Sequence, residues 1–192
     1  MTDKSQDWVV CDGGPHLLLP TELVPIWEGV REPSSGRVVH ARFRSSRNKS
    51  APATDYDLAC DVEGELGIIP VGAGFGLVIG LAVPSSTWIP LTQHCGGFVV
   101  VPMYWSSATA YRDGRADVAM TEFVENDFVT TEFVMTTQSG SFTLFAACDS
   151  GPGWIYSKVA ISLAAGTYSV SKANYVAADY EARVYRLLPI LQ

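Results

Sequence analysis

The chain has 192 residues and a formal charge of −7, and 47% of its residues are hydrophobic against only 17% charged. That balance excludes a disordered chain, and the length suits one well-buried domain spanning 1–192. No apolar run reaches the roughly 20 residues of a bilayer span, and the polar opening MTDKSQD lacks the apolar core of a signal peptide, so no membrane partner and a cytoplasmic location are expected.

Taken in order, Trp8-Val9-Val10 reads as a strand, Cys11 to Pro15 as a turn and His16 to Pro20 as a second strand. Leu23, Ile26 and Trp27 fall at helical spacing, so a short helix is expected with Thr21 as its N-cap, Pro25 in its first turn and Gly29 at its end. Residues 31–53 read as an exposed basic loop or edge region. Val39, Ala41 and Phe43 alternate there with His40, Arg42 and Arg44, the pattern of an edge strand with a cationic outer face.

The stretch from Thr54 to Pro90 has the most consistent punctuation. Asp55 to Asp61 suits a helical turn that Asp55 can cap, with Tyr56, Ala59 and Cys60 on one face. Asp55, Asp57, Asp61, Glu63 and Glu65 do not match a calcium loop, because the fifth and sixth places counted from Asp55 hold Ala59 and Cys60. They read as a solvated acidic cluster. Ile68 to Val71 and Leu77 to Leu81 are short β-branched runs, and Gly72, Gly74 and Gly76 between them make strand, glycine turn, strand. The glycines are not a dinucleotide loop, since a β-type run follows them where that motif needs a helix.

Beyond the turn at Gly96-Gly97, Phe98 to Trp105 is a strand with a bend or edge at Pro102. Residues 106–139 leave helix and strand open: Asp113-Gly114 weakens a helix over Ser106 to Asp117, and Thr121 to Val134 fits either state. Ser141 to Ala146 and Lys158 to Leu163 read as strands. Thr167 to Ala173 and Tyr180 to Pro189 read as a closing hairpin. The expected class is mainly β, with some α: antiparallel sheets in a sandwich or open barrel and one to three short helices.

Cys11, Cys60, Cys95 and Cys148 are widely separated, without the paired spacing of structural zinc ligands, and read as four buried free thiols. His94 and Cys95 are adjacent, but neighbours on a strand point to opposite faces and make a poor catalytic pair. No nucleophile elbow, phosphate loop or His-Glu-x-x-His is present, so neither catalytic nor cofactor residues are assigned. Residues 31–49 carry six cations against one acid, a local balance of +5 that leaves −12 on the rest. An acidic body is a poor partner for nucleic acid and a suitable one for a basic protein.

Four segments resemble the immunity protein 21 family of bacterial polymorphic toxin systems: WVVCDGGPHLLLPTELVPIWEGV from Trp8, TDYDLAC, LGIIPVGAGFGLVIG with STWIP, and LAAGTYSVSKANY with YRLLPILQ at the end. The resemblance implies a non-catalytic protein, a monomer or homodimer, that binds a cognate toxin and blocks it. If the toxin is basic, Asp55, Asp57, Glu122, Glu125 and Asp127 are candidate steering residues, and Tyr56 and Trp154 candidate anchors. The competing classes are a carbohydrate-binding or hydrolytic β-sandwich and a structural component of an oligomer.

Overall fold

The structure, a computed structural model, describes residues 8–30, 41–46, 51–80, 83–91, 95–120, 123, 127–151, 153 and 155–190. Eleven strands lie among them: β1 (Trp8–Val10), β2 (His16–Pro20), β3 (Leu66–Val71), β4 (Gly74–Ile79), β5 (Ser85–Leu91), β6 (Gly96–Trp105), β7 (Val129–Thr137), β8 (Ser141–Ala146), β9 (Lys158–Ser162), β10 (Gly166–Val176) and β11 (Tyr180–Pro189). They form two antiparallel sheets, one in the order β1-β5-β6-β11-β10-β7 and the other β3-β4-β2-β8-β9. A 3₁₀ helix (Thr21–Ile26) and two α-helices, α1 (Asp55–Cys60) and α2 (Ala108–Met120), complete the described elements. Of the two expected arrangements, the chain adopts the sandwich. None of the described helices is long and apolar enough to cross a membrane.

The central strands β2, β4, β6 and β8 bury both faces over most of their length. In β2, Leu18 points into the core between the sheets, with Leu77 and Ile79 of β4 and Leu144 of β8. Leu17 and Leu19 point outward and pack with Val78, Phe145 and Trp27 under α1. The six-stranded sheet behaves alike. Tyr185 and Leu187 of β11 face the inner core, while Ala182 and Val184 face an outer cluster with Phe98, Val118 and Phe128. Such runs as Leu17-Leu18-Leu19 and Leu77-Val78-Ile79 therefore lack a polar alternate position, the pattern of strands covered on both sides.

Local chemistry accounts for where the elements depart from expectation. The first helix is 3₁₀ rather than α and has no side-chain cap: Pro20 precedes it, and Thr21 instead meets Thr143 Oγ1 at 3.1 Å. Pro25 lies inside it and has no N–H to donate, which favours the tighter winding. Only Gly72, at φ +58°, sits in the β3–β4 turn. Gly74 and Gly76 belong to β4 itself, where a Cβ on Gly76 would meet Leu17 and Leu19. Ser85–Leu91, which carries no strand expectation, pairs with both β1 and β6. The ambiguous middle resolves into α2 followed by β7, and the closing hairpin is β10–β11. Of the expected basic edge strand, residues 38–40 lie outside the described residues, and Ala41 to Phe43 forms no strand.

Gly114 shows why α2 tolerates a glycine. Ala110, Gly114 and Val118 form one buried stripe at helical spacing, and a Cβ on Gly114 would lie 2.4 Å from the Tyr180 ring. Gly114→Ala gains about 1 kcal/mol of helix propensity but collides with a ring held at 0% exposure. The expected outcome is a net loss of about 1–2 kcal/mol in urea unfolding; a more stable variant would show that α2 does not rest on Tyr180.

Candidate partner-binding surface

The acidic segment is largely engaged by the chain itself. Thr54, not Asp55, caps α1: its hydroxyl accepts the Asp57 N–H at 3.1 Å, while Asp57 accepts the Thr54 N–H at 3.0 Å. Asp57 also accepts the Ser45 N–H at 2.7 Å, and Asp55 accepts the Glu28 N–H at 2.8 Å. Both carboxylates are buried. For Asp57, burial pushes the carboxyl up, but the hydrogen bonds from Ser45 and Thr54 outweigh it and hold it below the ordinary value.

Farther along, Asp61 accepts the N–H groups of Arg42 and Phe43, and Glu63 pairs with Arg42 at 2.6 Å. Glu65 spans the sheets, meeting Lys172 at 2.5 Å and Arg183 at 3.0 Å. The acids expected as a solvated cluster thus tie down residues 28 and 42–45 and the six-stranded sheet. The solvated reading is corrected for Asp55 and Asp57, which lie within the fold because they satisfy backbone donors there.

Tyr56 is half-buried, with Phe43 edge-on at 6.2 Å, and burial and a hydrogen bond to Cys60 raise its phenol. Asp127 is exposed just before β7. Glu122, Glu125 and Trp154 lie outside the described residues. Of the candidate set, Asp55, Tyr56 and Asp57 therefore come together on α1, with Asp127 elsewhere.

A second polar cluster, which no motif announces, joins the two sheets. His16 of β2 is fully buried, with Ser86 Oγ of β5 at 2.6 Å from Nδ1 and Cys11 Sγ at 3.2 Å from Nε2. Burial lowers the imidazole pKa to about 4 and raises that of the Cys11 thiol. Nucleophilic sulfur chemistry needs a thiolate and access, and this group has neither at neutral pH. All four cysteines are free, but only Cys11 is buried: Cys60 and Cys148 are partly covered and Cys95 is exposed, which corrects the expectation of four buried thiols. Among the described residues, no group of His, Cys, Asp or Glu is arranged to hold a metal ion.

The exposed chemistry lies where the six-stranded sheet outruns its covers. Residues 103–109 are all exposed, beginning with Met103, Tyr104 and Trp105 at the end of β6. The pairing of β6 with β11 shifts there, from Pro102 opposite Ala182 to Tyr104 opposite Glu181, leaving Met103 as a bulge. Trp105 meets Tyr111 of α2 edge-on at 5.1 Å, and Tyr111 stacks on Trp8 at 5.0 Å. A groove of about 270 Å³ runs beside them, past Val10 and Pro84. Exposed Met, Tyr and Trp are the residue types enriched in protein interfaces. Sequence reasoning passed over them because a strand of such composition reads as core.

The fold is a sandwich of two antiparallel sheets with exposed aromatic side chains at one end of the longer sheet. The family model for Immunity protein 21 matches residues 7–182, and the chain belongs to that family. No curated protein and no solved structure matches it.

Two measurements check the buried groups. Thr54→Ala removes the α1 cap and should cost about 1 kcal/mol in denaturant unfolding; no loss would mean that α1 is held by packing alone. His16 has a folded pKa of about 4, below its unfolded value, so the unfolded chain binds the proton first as pH falls. Its contribution is fully present above about pH 6.5 and shrinks by about 3 kcal/mol on descending to pH 4. His16→Asn should flatten that part of the stability profile relative to the unsubstituted chain. An unchanged slope would assign the pH dependence to other groups.

Proposed function

We propose that the protein is a bacterial immunity protein that binds a cognate toxin domain and neutralises it by occlusion, in the cytoplasm and without catalysis of its own. Membership of the Immunity protein 21 family carries this reading. The physical features that support it are the exposed Met103-Tyr104-Trp105 end of β6 and the acidic character of the chain, −7 overall. A specific inhibitor contact buries about 1,600 Å² and draws most of its binding energy from a few aromatic or arginine anchors, with charge setting the association rate.

Within this reading Asp127 remains a steering candidate on grounds of exposure, with Glu122, Glu125 and Trp154 proposed from their residue types. Asp55 and Asp57 act within the fold, by holding residue 28, α1 and the 42–45 segment in place.

The test is to mix the purified chain with its cognate toxin domain and measure toxin activity and complex formation together. A stoichiometric complex with at least about a tenfold fall in toxin activity is the expected outcome. Undiminished activity with the chain in excess would end the immunity reading.

A further inference from the structure

At the end of the six-stranded sheet, three side chains from three strands stand in one cross-strand row. The bulge at Met103 places Tyr104 of β6 opposite Glu181 of β11, and Glu181 lies opposite Val176 of β10. All three are exposed, Tyr104 at 49% and Val176 at 70%. A groove of about 270 Å³ opens beside Glu181 and Val176, lined also by Met103, Asn174 and Arg183, with Tyr104 next to it across the register from Glu181. Arg183 is already paired with Glu65 at 3.0 Å. The Glu181 carboxylate makes no hydrogen bond or ion pair with any of the described residues.

We propose that this row is the docking site for one cationic side chain, arginine or lysine, presented by the toxin domain; the inference rests on the immunity reading above. The Tyr104 ring offers its negative face to the cation, and Glu181 beside it supplies a charge-assisted hydrogen bond. Met103 and Val176 cover the apolar stem of the incoming side chain.

The charge of the site selects among occupants. A second copy docking with this row on the two-fold axis would bring Glu181 toward its own equivalent, an opposed like-charge contact. An anionic lipid surface would repel the same carboxylate. A basic protein is drawn to it, and the net charge of −7 adds long-range attraction.

The experiment is calorimetric titration of a catalytically inactive cognate toxin domain into the full chain, at low and moderate salt. Tyr104→Ala and Glu181→Lys should each weaken binding at least about tenfold, and Glu181→Gln should reduce its salt dependence. Phe75→Ser, at an exposed aromatic on the other sheet, should bind as the unsubstituted chain does. Thermal melts of the variants confirm that each remains folded. If the unsubstituted chain binds and the Tyr104 and Glu181 variants bind equally well, the docking site is overturned and the immunity reading stands. Equal losses in the Phe75 variant would overturn the site too. If the unsubstituted chain does not bind, the immunity reading falls and takes the site with it.

Discussion

Both sheets are apolar on both faces at their central strands, and most of the remaining structure answers that constraint. Leu17 and Leu19 point away from the inner core as surely as Leu18 points into it, so the five-stranded sheet needs a cover on its outer side. Trp27, the 3₁₀ helix and α1 supply it, and Trp27 Nε1 donates to the Ala147 carbonyl at 3.0 Å, which keeps its polar atom satisfied. The six-stranded sheet is covered by α2 and by Phe123 and Phe128, with the Arg186 guanidinium over the Phe128 ring at 3.9 Å.

A cover must be fastened, and that requirement determines where the acids go. A six-residue helix such as α1 is too short to persist by itself. It persists here because Thr54 and Asp57 close a capping box, Asp55 holds Glu28 and Asp57 holds Ser45. Charges that are close together in the chain thus become distributed anchors, and the segment that looks most like an electrostatic lure is occupied internally. The exposed aromatic side chains of β6 lie instead at the end of the longer sheet. There the bulge beside Pro102 leaves Tyr104 and Trp105 of β6 exposed, next to Glu181 of β11 and Val176 of β10. His16 contributes to the same rigidity from inside, tying β2 to β5 through Ser86 with a neutral ring.

Strand positions and their punctuation are short-range properties, and they are legible in the chain. An apolar run beside a turn signal placed β2, alternation placed β8 and the β10–β11 hairpin, and Gly72 supplied the positive φ of the β3–β4 turn. What defeated the reading was competition between local and tertiary terms. Gly114 looks like a helix breaker until Tyr180 lies beneath it, and Ser85 to Leu91 looks like a connection until β1 and β6 pair with it.

The sequence by itself determined a β-rich chain with one to three short helices, an acidic balance and a family membership visible in its motifs, because composition, periodicity and turn chemistry act over a few residues. Only the tertiary structure decided which apolar strands are covered on both faces, that Asp55 and Asp57 are anchors, and that Tyr104, Glu181 and Val176 share a surface. Tyr104 and Glu181 lie far apart along the chain, and their adjacency comes from strand register and one bulged residue. A one-residue change of register reverses the face of every side chain that follows, so long-range pairing alone decides which aromatic groups pack and which remain exposed to a partner.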